Sequence, residues 1–428
     1  MELKSEYKLT EIGMLPTDWR VLPLESITEP SAPIRYGIVQ VGPDTPDGIP
    51  IVPIKFIKEI ETAPLHRTAK AIEERFSGSR ISGGDVLLSV KGTIGRVGIV
   101  PEGFTGNIAR EIARLRVRNE FCPQFVAYQL ESDQTQRRIR SAIVGTTRME
   151  FSIAGVRKFL ISVPQSKAEQ QAVAAALADI DKLISSLMRL IAKKRDLRQG
   201  AMQRLLTGQT RLPGFSAPWQ VKRLGELGEI RSGGTPATSE SSFWNGGIPW
   251  CTPTDITALS GKKYLVATAR TISERGLAAS AAEILPPRSL IMTSRATIGE
   301  CAINMVPMAT NQGFKNIVPS EEVDVEFLYY LMGMQKSRLI ALCSGSTFLE
   351  ISKRQLEHFE VCLPSSKSEQ TAVARILSDM DAEMNALEAR LIKTRALKQA
   401  MMQALLTGRV RLPIQSNAAP EVREYEHA

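Results

Sequence analysis

The side chains best suited to chemistry in this chain sit on glycine-marked turns, and their chemistry is hydrogen bonding and charge rather than bond breaking. In the first part of the sequence these are Lys91, Thr93, Arg96, Asn107, Arg110, Thr146, Thr147 and Arg148. In the second they are Ser294, Arg295, Thr297, Asn311, Gln312, Lys315, Ser346 and Thr347. Arginine, lysine, asparagine and glutamine read base edges in a DNA groove, while cations and hydroxyls hold phosphates. Each such residue taken alone is equally a turn former or a solvated loop residue, so the two sets carry the argument and their single members do not.

Catalytic patterns are missing. No GxxxxGK[ST] loop occurs: Gly261-Lys262-Lys263 lacks both the upstream glycine and the following hydroxyl. The run Gly92-Thr-Ile-Gly95-Arg-Val-Gly98 has the wrong glycine spacing for a dinucleotide fingerprint and reads as a turn between strands. There is no Asn/Asp-Pro-Pro-Tyr/Phe stretch of the amino-methyltransferase kind, and no carboxylate pair with a nearby lysine for metal-dependent phosphodiester cleavage. The five cysteines form no CxxC pair and the three histidines are far apart, so neither a zinc site nor a disulfide framework is expected. The expectation is a non-catalytic chain with no bound metal or cofactor.

What positions the turns is an internal repeat. Pro164-Gln-Ser-Lys-Ala-Glu169-Gln170 returns as Pro364-Ser-Ser-Lys-Ser-Glu369-Gln370, and Leu205-Leu-Thr-Gly208 with Arg211-Leu-Pro213 returns as Leu405-Leu-Thr-Gly408 with Arg411-Leu-Pro413. Each copy predicts a long helix. Ser166-x-x-Glu169 and Ser366-x-x-Glu369 have the capping-box form, with the glutamate expected to reach back to the first amide. Gly208 and Gly408 are placed for left-handed C-caps, with Pro213 and Pro413 just beyond. About forty residues at 1.5 Å rise give a rod of roughly 60 Å.

Along the first rod Val173, Leu177, Ile180, Ile184, Leu187 and Ile191 alternate spacings of four and three, and Val373, Leu377, Met380, Met384, Leu387 and Leu391 repeat this in the second. That is a coiled-coil seam, expected to drift to Leu197 and Leu397 where Lys194 and Arg198 interrupt it. The alternative is that each stripe packs on its own domain. The basic residues Arg189, Lys193, Lys194, Arg195, Arg198 and Arg204 either complement the helix dipole or face a partner or phosphate.

The segments between the rods repeat faintly: Trp19 and Leu24 with Trp219 and Leu224, Thr93-Ile-Gly95 with Thr297-Ile-Gly299, Phe125-Val-Ala-Tyr128 with Phe327-Leu-Tyr-Tyr330, and Gly145-Thr-Thr147 with Gly345-Ser-Thr347. Asp85-Val-Leu-Leu-Ser-Val90 and Ser289-Leu-Ile-Met-Thr293 read as buried strands, and 121–140 and 325–342 as helices. The fold class is therefore α+β. The chain divides into domain 1–160, rod 161–212, domain 213–360, rod 361–412 and a flexible tail 413–428. The length of 428 residues, a hydrophobic fraction of 43% and a charged fraction of 23% fit several buried cores. The formal charge of +9 favours a polyanionic partner. A polar start and the lack of any apolar run of about eighteen residues point to a cytoplasmic protein with no membrane contact.

Two tryptophan-led domains, Gly84-Asp-Val-Leu87 running into Gly92-Thr-Ile-Gly95, a doubled Pro-x-x-x-x-Glu-Gln helix start and a doubled Leu-Leu-Thr-Gly end together resemble the specificity subunits of type I restriction–modification systems. The resemblance covers nearly the whole chain. It implies two similar target-recognition domains, each reading one half of a split, asymmetric sequence in double-stranded DNA. Two long helices would separate them as an antiparallel coiled coil that fixes the gap. It further implies two docked methyltransferase subunits and two restriction subunits, with S-adenosylmethionine and ATP with Mg belonging to those partners. One departure stands out: Asn311-Gln312 lies where the first domain has Asn107-Ile108, so a contact at one does not transfer to the other. The specificity component of a related system with a fused methyltransferase-nuclease, and a non-specific coiled-coil scaffold, fit the same pattern.

Overall fold

A computed structural model of the chain describes residues 7–143, 149–343 and 349–413. The chain folds into two compact units, one formed by 1–188 with 390–428 and the other by 189–389. Each unit combines sheets and helices, as the α+β reading expects, and each takes in part of both long helices, Lys167–Leu205 and Lys367–Leu405.

In the first unit the sheet carrying the glycine turn has the order Arg35–Tyr36, Ile112–Leu115, Val86–Ser89, Val97–Ile99, all antiparallel. Val86–Ser89 is buried at every position, so its run of apolar residues does not alternate. A second sheet pairs Thr105–Ile108 in parallel with Ile49–Val52. The two ends of the domain meet where Trp19–Pro23 pairs antiparallel with Leu160–Pro164. The second unit repeats the plan: Arg231 lies opposite Asn316 as Arg35 lies opposite Arg114, and Leu290 opposite Ile317 as Val86 lies opposite Leu115. Its ends close through Gln220–Arg223 and Glu360–Leu363. Trp19 meets Phe125 edge-on at 6.1 Å and Trp219 meets Phe327 at 6.2 Å, so the faint tryptophan and phenylalanine repeat is a shared core contact.

The expected helix over 121–140 is two helices, Pro123–Glu131 and Asp133–Ser141. Ser132 between them is extended and its hydroxyl caps the second by accepting from the Thr135 amide, which ends the first helix. Likewise 325–342 is Val325–Met334 followed by Lys336–Ala341.

The long helices begin and end where the repeat places them. Ser166 and Ser366 accept from the amides of Glu169 and Glu369, both at 3.4 Å. The glutamates do not reach back to close a capping box. Glu369 instead takes a bidentate arginine pair from Arg211 at 2.7 and 2.8 Å and the Trp219 indole N–H at 3.1 Å. Glu169 takes Arg411, which also holds Asp18. Gln170 and Gln370 do the backbone work, accepting from the Cys122 and Asp324 amides. At the far ends Gly208 and Gly408 are left-handed, at φ +71° and +69°, with the tryptophans Trp219 and Trp19 packed against them. Leu205 and Leu206 thus enter the core of the second unit, and Met402, Leu405 and Leu406 that of the first.

Within each unit the segments of the two long helices run in opposite senses. In the second, Lys194 pairs with Glu383 at 2.6 Å, Arg195 with Glu388 at 2.6 Å, and Arg198 with Asp381. In the first, Lys398 pairs with Asp181 at 2.6 Å. Val173, Leu177, Ile180, Leu187, Ile191, Val373 and Leu377 are buried, and Ile184, Met380, Met384, Leu387 and Leu391 are half-buried. The expected drift to Leu197 and Leu397 does not occur; both are about half exposed. Arg198 and Lys398 lie inward in their place, because Asp381 and Asp181 offer each a partner. Those aspartates also accept from the hydroxyls of buried Tyr330 and half-buried Tyr128 at 2.6 and 2.9 Å. Burial and the adjacent carboxylate push both phenols far up, so they stay protonated donors. No helix among the described residues is long and apolar enough to cross a membrane.

Candidate nucleic-acid interface

The turn after each buried strand is held by one hydroxyl. Ser89 Oγ donates to Thr93 O at 2.6 Å and accepts from Arg96 N at 2.8 Å. Thr293 Oγ1 does the same for Thr297 O and Glu300 N. Gly95 and Gly299 take positive φ, and so do Gly92 and its counterpart Ala296, at +65° and +58°. An alanine there bears about 1 kcal/mol of left-handed strain that glycine avoids, so the surrounding bonds determine the turn.

Each turn opens on a cation that bridges to a glutamate. Lys91 pairs backbone-to-backbone with Glu150, and Arg295 with Glu350. The side chains follow, with Lys91 Nζ 3.3 Å from Glu150 and Arg295 Nη2 2.8 Å from Glu350. Lys315 adds a second cation 3.5 Å from Glu350. Burial raises the Glu350 carboxyl, but Arg295 and Lys315 more than offset this and hold it below its ordinary range. Lys315 is itself lowered, burial outweighing the pull of Glu350.

Among the expected readers, Thr93 and Arg96 are exposed on the first turn, and Arg110 is exposed beside Glu111 at 3.2 Å. Gln312 is exposed and accepts from Thr235, while Asn311 folds back to accept from the Gly313 amide at 2.9 Å. Four residues do not present their polar groups. Asn107 is wholly buried, donating to Glu73 at 2.9 Å and to Phe76 O, and accepting from Ser79 at 2.8 Å. It lies in a strand rather than on the turn before it. Ser294 is fully buried, and the Thr297 hydroxyl is enclosed as well. Lys315 is buried at 7% exposure. Thr146, Thr147, Arg148, Ser346 and Thr347 lie outside the described residues. Glu150 and Glu350 escaped the sequence reading, although their shared offset of 200 from the helix repeat was the signal. Tyr36 escaped it too; its ring lies 5.2 Å under Lys91 Nζ and it is exposed.

The rod cations Lys194, Arg195 and Arg198 pair with Glu383, Glu388 and Asp381. Among the described residues no group of three or more His, Cys, Asp or Glu is placed to hold a metal ion.

One framework, used twice, thus presents different polar side chains from equivalent turns, the layout of a two-module binding protein. The family described as the type I restriction modification DNA specificity domain matches residues 43–193 and 217–394. The chain belongs to this family of type I restriction–modification specificity subunits. It is 38% identical over 165 residues to the type I restriction enzyme MjaIX specificity subunit of Methanocaldococcus jannaschii, a match spanning 38% of each chain. It is 25% identical to the putative MjaX specificity subunit of the same organism over 96% of this chain and 97% of that one. In fold it is similar to the type I S subunit from M. genitalium, with TM-score 0.57 and 17% identity, covering 95% and 98% of the two chains. A chain solved in a study of complex assembly and conformational transition of the type I restriction–modification system gives TM-score 0.58 at 21% identity, over 92% and 99%.

Proposed function

We propose that this chain is the sequence-reading, non-catalytic subunit of a type I restriction–modification complex, in which each unit reads one half of a bipartite, asymmetric DNA target. The observation that carries this reading is the doubled turn: the framework that holds Lys91 and Arg295 is common, while the side chains around it differ. Arg96 in the first turn stands where Glu300 stands in the second, and Tyr36 where Ser232 stands. Two modules of one fold with unlike edges suit two unlike half-sites. The opposed helix segments, joined by ion pairs in each unit, support an antiparallel coiled coil that sets the gap and docks methyltransferase subunits. Two of these and two restriction subunits complete the assembly, and S-adenosylmethionine and ATP with Mg act on those partners.

The test is methylome sequencing of a host carrying this gene with its methyltransferase gene, against a strain lacking this chain alone. A split, asymmetric motif that vanishes with the chain is the expected result. An unchanged methylome, with an expressed and active partner, overturns the proposal. Co-purification distinguishes separate methyltransferase and restriction subunits from a fused one.

A further inference from the structure

Beside the first turn lies a cavity of about 320 Å³ whose walls include Arg35, Tyr36, Arg75, Gly78 and Arg157 and no carboxylate. It adjoins the turn through Tyr36, which carries Lys91 on its ring. Arg35 and Arg75 are exposed, and neither has an ion-pair partner among the described residues. Arg157 is braced by donating to Ile34 O at 2.9 Å. Gly78 makes room: a Cβ there would stand 2.9 Å from Arg35 Nη1. Behind the wall, Arg114 is buried; its Nη1 and Nη2 donate to Arg80 O and Pro33 O. Burial lowers its pKa; the Asp85 carboxylate opposes this, and Arg116 and Arg35 add to it. Two of the nearby acids are already engaged, Glu73 by Arg80 and Asp85 by Arg116.

The second unit differs at three positions of this cavity. The strand register matches Arg35 with Arg231, which is held by Glu229 at 2.6 Å and faces Glu283 at 3.9 Å. Tyr36 becomes Ser232. The 200-residue offset that aligns Phe159 with Phe359, each under an arginine at 4.6 Å, matches Arg157 with Glu357. Glu357 is itself paired with Lys353. The same fold thus carries Arg35 and Arg157 without acidic partners among the described residues in one unit, and an acid-paired Arg231 and the acidic Glu357 in the other.

We infer that the Arg35–Arg75–Arg157 cavity is a phosphate subsite for the DNA backbone, present in the first unit only, and that it anchors the duplex next to the bases facing Thr93 and Arg96. This rests on the DNA-reading function proposed above. Guanidinium groups suit a phosphate diester because their planar donors engage its oxygens in pairs, and a backbone contact adds affinity without adding sequence information.

The experiment uses the chain assembled with its methyltransferase, titrated with a duplex bearing the target and with an unrelated duplex, over a range of salt. Arg35→Gln with Arg75→Gln is expected to weaken binding about 10-fold on both duplexes and to make the log–log salt slope shallower by about 0.9, one phosphate's worth. Arg35→Lys in place of Arg35→Gln recovers part of the slope, and Arg231→Gln in the second unit leaves both quantities as in the wild type. A double variant with wild-type slope overturns the subsite, as does a loss confined to the target duplex, which would make these residues base readers. Wild-type complex that binds no duplex at all overturns the DNA-reading function itself, so the two failures are distinct.

Discussion

Glu369→Ala is the substitution whose cost the structure fixes most closely. Its carboxylate is 2% exposed and holds three donors: two from Arg211 and the Trp219 indole N–H. Breaking a fully buried ion pair by removing one partner costs about 3–5 kcal/mol. Arg211 is 26% exposed, so water recovers part of its charge and the loss falls to about 2 kcal/mol. The orphaned indole adds about 1 kcal/mol, for a total of about 3. Glu169→Ala in the first unit is the internal control. There Arg411 keeps Asp18 at 2.8 and 3.0 Å, and Trp19 Nε1 has no partner to lose, so the cost is about 1–2 kcal/mol. In a domain of this size each kcal/mol moves Tm by about 2–4 °C, so scanning calorimetry should show Glu369→Ala unfolding about 6–12 °C early and Glu169→Ala about 2–8 °C. Equal shifts, or the reverse order, refute the reasoning, because Arg411 keeps a carboxylate where Arg211 keeps only the Ala217 carbonyl.

Other consequences are as direct. Gly408→Ala must adopt φ near +69° and place a Cβ 2.5 Å from Pro16 Cγ, whereas Gly208→Ala meets nothing nearer than 3.2 Å; urea midpoints should show about 2 kcal/mol lost at Gly408 and about 1 at Gly208. The first unit should weaken in acid: hydrogen bonds from Arg80 and Arg411 hold Glu73 and Asp18 below their ordinary values of 4.5 and 3.8. A lowered folded pKa gives stability that is full above the ordinary value and lost as pH falls through the folded one, so melting temperature should decline below about pH 4.5, less steeply in Glu73→Gln. If the helix pair is a ruler, adding four residues after both Leu187 and Leu387 lengthens each by about 6 Å, close to two base-pair steps, and the methylated motif should gain about two base pairs of gap; an active variant with an unchanged gap contradicts the ruler.

The sequence revealed the helices because their ends are local. Serine three residues before glutamate, and glycine before proline, act on backbone groups within one turn, and a repeat at constant offset shows both at once. It misassigned the glutamates for the complementary reason. The partners of Glu369 and Glu169 are Arg211 and Arg411, 158 and 242 residues away, and only the folded chain brings them together. Leu197 and Leu397 were expected on the seam because an apolar period continues through them, yet Arg198 and Lys398 lie inward with Asp381 and Asp181. Hydrophobic period sets a seam only until a half-buried carboxylate on the facing helix rewards a cation more.

At the turns, residue type was legible and facing was not. Asn107 and Arg110 are three residues apart and equally fit to read a base, but strand pairing buries the first and the turn beyond exposes the second. Side chains reverse face with each step along a strand, so a shift of one position exchanges a reader for a core residue. Comparing the two units removes that ambiguity, since a position's facing is set by the shared register while its chemistry is free to change. Lys91 and Arg295 keep their charge and their glutamates, which marks them as part of the frame. Arg35, Tyr36 and Arg157 give way to a neutralised arginine, a serine and a glutamate on the same backbone. Where the fold is constant and the charge is not, the frame does not dictate the difference, which is why the cations of the first unit are the ones proposed to meet phosphate.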